Sequence, residues 1–230
     1  MNMSETSTLV SSPSNESQDS KNPKINHQEI LHNHPKFQAI LTKFQNFTNQ
    51  NKNTLEIEER VFPNLTGDTL AGDNKINLRT ESLYFVEDYF WNHQHDDFEH
   101  IEDERDNYSL TFFHLGPKLS GHHGIVHGGL LATLLDEVTC RLAFLNFESQ
   151  RGVTANLNIN YKQPTYVDNY IMIKCTLIKK QGRKCWVRGD VYRFDLDDKP
   201  VETVETKENL LTTCEVLAIE PKWVDKLKTV

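Results

Sequence analysis

Four residues in one short string have the types and spacing to do chemistry: His127, Gly128 and Gly129, followed nine positions after the histidine by Asp136. The glycines open what reads as a helix, and the first N–H groups of a helix have no partner within it and carry the positive end of its dipole. Such a terminus suits a polarised carbonyl oxygen or an anion. Asp136 needs another explanation, because a carboxylate flanked by Leu134, Leu135 and Val138 is costly to bury unless it is paired or used. Glu137 precedes Arg141 by four residues, the favourable order for a surface ion pair, and reads as a solvated helix face.

These residues have to be held by the helix itself and by whatever it lies against. Leu131, Leu134, Leu135, Val138 and Leu142 recur at helical steps, so one stripe is apolar, while Gly129, Ala132, Thr133, Asp136 and Cys140 form a second, small-residue stripe with room for something beside it. The helix is expected to run to about Asn146. A strand-like run precedes it at 109–115, and four follow at 152–162, 170–179, 184–194 and 210–219, separated by turn chemistry at Pro164, Gly182 and the stretch 195–200. One long helix followed by strands with no helices between them predicts an α+β fold, an antiparallel sheet wrapped on a central helix. Along 153–161 the alternation is strict. Val153, Ala155, Leu157, Ile159 and Tyr161 are assigned to one face, and Thr154, Asn156, Asn158 and Asn160 to the other.

The amino-terminal half reads differently. Residues 1–26 are too polar to bury a core and are expected to be disordered, 27–107 form an extension, 108–222 the main domain and 223–230 a tail. Within the extension, Phe37, Ile40, Leu41, Phe44 and Phe47 share one face of a helix over 34–50, which packs across the main domain or binds a partner. Residues 63–73 are rich in turn residues, 83–91 are aromatic and suit a short strand or helix, and 96–106 form an acidic run read as a solvated loop. A formal net charge of −8 opposes a nucleic-acid partner. No apolar run is long enough to span a membrane. Cys140, Cys175, Cys185 and Cys214 lack a CxxC pair and read as buried free thiols in a reducing compartment. The sequons at Asn15, Asn46, Asn64 and Asn107 read as chance, and a first arginine at Arg60 opposes a mitochondrial presequence, so the cytoplasm is the default location.

The string HGGLLATLLDE at 127–137 resembles the signature of the hotdog-fold acyl-CoA thioesterases of the phenylacetyl-CoA type. TANLNINYK at 154–162 and QGRKCWV at 181–187 are similar, in the same order, to segments of the mammalian superfamily members four and five and of their fungal relatives. The resemblance covers 110–221 and reaches weakly back to 70–76. It implies a hotdog fold, hydrolysis of acyl-CoA, coenzyme A only as part of substrate and product with no other cofactor, and a homodimer or a tetramer. It also raises the mitochondrion as an alternative location, since similar fungal proteins include mitochondrial ones. By the same resemblance, Gly129 and Gly128 supply oxyanion amides and Asp136 acts as general base or nucleophile. His127 fixes the loop, Thr154 orients the attacking water, Asn160 holds polar substrate groups, and Arg183 and Lys184 meet the coenzyme A phosphates. Where some relatives carry asparagine or glutamine six residues before the histidine, this chain has Gly121, and His122 or His123 substitutes.

Helix geometry then constrains the chemistry. His127 and Asp136 are separated by roughly 13 Å along the axis, too far for both to touch one thioester carbon, so the glycine amides and the carboxylate must come from different subunits. A zinc site built on His122, His123 and His127 is disfavoured because they sit in a loop with no following carboxylate at metal spacing, and no GxSxG supports a serine hydrolase. A hotdog dehydratase would need an acid and base motif that is not seen. The alternative function is a hotdog that binds acyl-CoA without turnover, as a sensor or interaction module.

Overall fold

The computed structural model describes residues 25–51, 64–92, 96–99 and 106–226. Residues 1–24 of the expected disordered tail 1–26, residues 100–105 of the acidic run and the last four residues lie outside the described residues. In chain order the elements are α1 (His27–Asn33), α2 (Pro35–Gln50), a π turn at Leu65–Thr69, β1 (Ile76–Arg79), β2 (Leu83–Val86), α3 (Asp88–Asn92), β3 (Phe98–Glu99), β4 (Asn107–Leu115), β5 (Ser120–His122), β6 (Ile125–Val126), α4 (Gly128–Leu145), β7 (Val153–Tyr161), β8 (Asn169–Gln181), β9 (Lys184–Arg193) and β10 (Leu210–Ile219). The main sheet runs β1-β4-β8-β9-β10-β7, with β2 also on β4 and β3 on β8, and its strand pairs are antiparallel. This is the α+β hotdog arrangement, a long helix laid across an antiparallel sheet. The sheet reaches further back than the strand patterns suggested, because β1 and β2 are only four residues each, and the aromatic stretch 83–91 divides between β2 and α3.

The apolar stripe of α4 is what seats it. Leu131, Leu134, Leu135, Val138 and Leu142 are all buried, in one cluster with Phe113, Ile173, Val187, Val191 and Val216 from the sheet. Burying such side chains stabilises by about 2 kcal/mol each. The helix lies so close to β9 that a Cβ on Gly189 would stand 2.9 Å from both Leu135 Cδ2 and Thr139 Cγ2. All four cysteines are buried thiols in no disulfide, and burial pushes the Cys185 and Cys214 thiols up to about 12.

The strict alternation assigned to β7 fails at its start. Leu217 pairs with Asn156 but Ala218 pairs with Thr154, so Ala155 is an extra residue and the side chains change face there. Leu157 and Ile159 pack on the α4 side, and Thr154 joins that side instead of sharing a face with Asn156, Asn158 and Asn160. A composition pattern cannot reveal a bulge, because the inserted alanine fits either face. Among the described residues β7 pairs only with β10, and its other edge is open.

The opposite face of the sheet is covered too, so every residue of β4 is buried. Phe37 and Ile40 of α2 are buried against Tyr108, Leu110 and Phe112 of β4, Phe85 and Met172, with Leu41, Phe44 and Phe47 packed beside them. Ring pairs Phe37–Phe112 at 4.9 Å, Phe44–Phe85 at 5.3 Å and Phe85–Tyr108 at 4.6 Å build this second core. Burial decides between the two readings of α2: its apolar face is taken up within the chain. Because the sheet separates α2 from α4, α2 does not cover the side on which Asp136 lies.

Beneath α1 lies a histidine pair. The buried His114 ring stacks on His27 at 3.6 Å, and its Nδ1 accepts from the Asn77 amide nitrogen at 2.9 Å. Burial, helped by the nearby His27, pushes His114 down to about 4, and burial lowers His27 against the pull of Asp168. Both rings are therefore neutral in the fold at pH values where the unfolded chain takes up protons. Stability contributed by His114 is complete above about pH 6.5 and is lost as pH falls towards 4. The urea midpoint is expected to fall over this window, and to fall less in His114→Gln. Equal slopes in the two proteins would rule out this linkage.

Candidate active site

The first turn of α4 is capped from its own sequence. His127 is the N-cap, and its Nδ1 accepts from the Gly129 N–H at 2.9 Å. The Gly129 amide, one of the two oxyanion donors that the family resemblance implies, is thus occupied, while the Gly128 N–H has no partner among the described residues. Tyr161, at the far end of β7, closes over this turn: its hydroxyl donates to the Gly128 carbonyl at 2.8 Å, and a Cβ on Gly128 would meet its ring at 3.3 Å. Gly121 packs against the His127 ring, where a Cβ would stand 2.9 Å from Cδ2. Close packing, instead of water positioning, accounts for glycine there. His122 and His123 are exposed on the β5–β6 hairpin.

The carboxylate lies two turns further along. Asp136 is half-buried rather than sealed in an apolar setting, and its Oδ1 accepts from the Thr154 hydroxyl at 2.6 Å. Thr154 Oγ1 in turn lies 3.1 Å from Cys140 Sγ. Asp136, Thr154 and Cys140 therefore form one cluster, and His127, Gly128, Gly129 and Tyr161 another. The helix holds the two roughly 12 Å apart. Asn160 falls between the inward-facing Ile159 and Tyr161 and points away from α4, so the chain does not bring it to Asp136. The sequence pattern puts Cys140 on the same helix stripe as Asp136, four residues on, but assigns neither it nor Tyr161 to the site.

Glu137 departs from the solvated-face reading. Its carboxylate accepts from Arg79 at 2.8 Å and Arg141 at 2.6 Å, and also from the Thr66 hydroxyl. Burial works against its charge, but the Thr66 hydrogen bond and the two guanidinium groups outweigh this and hold the carboxyl below its usual range. The residue ties the 66–79 segment to the back of α4. A partner 58 positions away in sequence is invisible to a helix-face pattern.

The acidic run is likewise engaged where it is described. Glu99 pairs with Lys179, Asp97 accepts from the Gly182 N–H, and the Asp96 carbonyl accepts from Lys180 at 3.2 Å. These contacts set acidic groups on the turn that carries Arg183 and Lys184. Arg183 donates to the Glu220 carbonyl at 3.2 Å, and Lys184 is exposed.

Residues 123–198 match the family described as Thioesterase superfamily. An uncharacterized protein of Schizosaccharomyces pombe is 38% identical over 93 residues, 40% of this chain and 53% of that protein. MIOREX complex component 3 of Saccharomyces cerevisiae is 40% identical over 87 residues, 38% of this chain and 32% of that protein. Acyl-coenzyme A thioesterase THEM4 of Bos taurus is 34% identical over 87 residues, 38% of this chain and 35% of that protein. Among solved structures, thioesterase superfamily member 2 from Mus musculus is similar with a TM-score of 0.40 at 20% identity, over 49% of this chain and 74% of that one. The family match covers about a third of the chain, the stretch that holds α4, β7, β8 and β9 of the hotdog arrangement. The chain spans about half the length, or less, of the relatives it matches, and no described helix is long and apolar enough to cross a membrane.

Proposed function

We propose that this chain hydrolyses acyl-CoA thioesters to a carboxylic acid and coenzyme A, at sites shared between two copies. The observation that carries the reading is Asp136, a half-exposed carboxylate on α4 whose Oδ1 is fixed by the Thr154 hydroxyl while Oδ2 stays available to a water. The Gly128 N–H, on the positive end of α4, polarises the thioester carbonyl, and His127 holds the first turn through Gly129. The carboxylate reaches that carbonyl from the partner subunit. Two open β7 edges pairing antiparallel about a point between Leu157 and Asn158 would set Thr154 of one subunit opposite the partner's Tyr161. The two clusters then meet across the two-fold axis.

As a general base, Asp136 takes a proton from water as the oxygen adds to the carbonyl carbon. The tetrahedral intermediate collapses with loss of the coenzyme A thiolate, which recovers that proton. As a nucleophile, Asp136 attacks the carbonyl carbon and expels the coenzyme A thiolate to form a mixed anhydride, which water opens to free the carboxylic acid and the Asp136 carboxylate while the second proton of that water goes to the thiolate. Lys184 and Arg183 are the proposed phosphate contacts, with Asp97 and Glu99 tempering their charge. Similarity to the acyl-coenzyme A thioesterase THEM4 supports the substrate class. Similarity to a mitochondrial protein of Candida albicans favours that compartment over the cytoplasm.

The test is thiol release from a panel of short, branched, aromatic and long-chain acyl-CoAs. Turnover of at least one supports the proposal; saturable binding with no thiol released from any would favour the non-catalytic binder.

A further inference from the structure

We infer that Cys140 is a positioning residue, whose S–H holds the Thr154 hydroxyl in the orientation that fixes Asp136; as a statement about catalysis this rests on the thioesterase reading above. The direction of the hydrogen bonds follows from what each group can do. An ionised carboxylate only accepts, so at 2.6 Å the single Thr154 proton is committed to Asp136 Oδ1. Thr154 Oγ1 then has only lone pairs to offer Cys140 Sγ at 3.1 Å, and the thiol must be the donor. The result is a directed chain from Cys140 S–H to Thr154 O–H to Asp136.

Its placement gives it an effect. Cys140 is 6% exposed and is fixed in the core cluster of α4, whereas Thr154 sits on the outermost strand beside a bulge and is itself exposed. A threonine hydroxyl in that setting has staggered alternatives. A buried donor anchored on α4, one turn from Asp136, selects the rotamer that keeps Oδ1 engaged and Oδ2 free. Thiol chemistry at Cys140 has no part in the proposal: the group contributes a proton and a fixed position.

Three variants separate donor from volume: Cys140→Val, which fills the space without a donor, Cys140→Ser, which keeps a donor, and Thr154→Val, which removes the acceptor. In Cys140→Val, kcat is expected to fall about tenfold with KM within about twofold. The acidic limb of the kcat/KM profile is expected to move up by about half a pH unit, because a carboxylate that loses a hydrogen bond is harder to ionise. Cys140→Ser restores both, and Cys140→Val adds no further loss in the Thr154→Val background.

A second readout does not depend on turnover: the carboxyl titration of Asp136 followed by carbon NMR, assigned by its loss in Asp136→Asn. The Asp136 titration moves up in Cys140→Val and returns in Cys140→Ser if the chain exists. An unmoved titration in Cys140→Val, or a serine variant no better than the valine one, overturns the proposal. Absence of turnover in the unmodified protein with the titration shift intact would instead overturn the thioesterase reading and leave the hydrogen-bond chain standing.

Discussion

Replacing Asp136 with asparagine is expected to lower kcat for acyl-CoA hydrolysis by roughly 1,000-fold or more, with KM little changed. The carboxylate is the only acidic group brought to the Thr154–Cys140 cluster by the contacts described, and an amide can neither take a proton from water nor attack a carbonyl. The fold should be indifferent to the change. Asp136 is half-exposed, and the asparagine carbonyl oxygen can still accept from Thr154. Steady-state thiol release, read beside an unfolding curve that superimposes on the parent's, checks both parts. A loss of only a few-fold with an unchanged fold would remove Asp136 from the chemistry.

The largest effect on stability is expected from Gly189→Val. Gly189 lies in β9, paired with Cys175 of β8 and Cys214 of β10. A Cβ there would stand 2.9 Å from Cys214 Sγ, Leu135 Cδ2 and Thr139 Cγ2. One carbon already crowds three neighbours from two elements, and valine adds two more in a close-packed core that does not yield cheaply. Destabilisation of about 3 kcal/mol or more is expected in urea unfolding. The fraction that remains folded should also turn over more slowly, since relief requires α4 to lift from the sheet and carry Asp136 away from Thr154. A midpoint within experimental error of the parent would show that α4 does not seat on this strand.

What could be read from the chain was whatever is periodic or local. The helix over 128–145 and the four strands after it follow from apolar spacing and turn residues, and the glycine pair after His127 announces a helix terminus. The helix face of α2 was equally legible, but not which face of the sheet it covers. Long-range pairing was out of reach: Glu137 with Arg79 and Thr66, or the acidic run with Lys179 and Gly182, join segments whose patterns separately suggest solvent. The Ala155 bulge was hidden for a different reason. Register is set by how β7 meets β10, and a small residue is silent about it. Only family resemblance points to Thr154, and its contact with Asp136 depends on that bulge.

The sharing of sites between subunits is tested most directly by mixing two defective variants. Asp136→Asn removes the carboxylate. Gly128→Pro removes the free amide while respecting the helix, since proline suits the first helical position and His127 already has the extended backbone, at φ −60° and ψ 128°, that a following proline requires. Each variant alone should be nearly inactive. After unfolding and refolding together in equal amounts, half of the dimers are mixed, and each of these holds one intact site and one with both defects. The mixture is expected to recover about one quarter of the activity of the unmodified protein, and activity no greater than the sum of the two variants assayed apart would contradict a site built from two subunits.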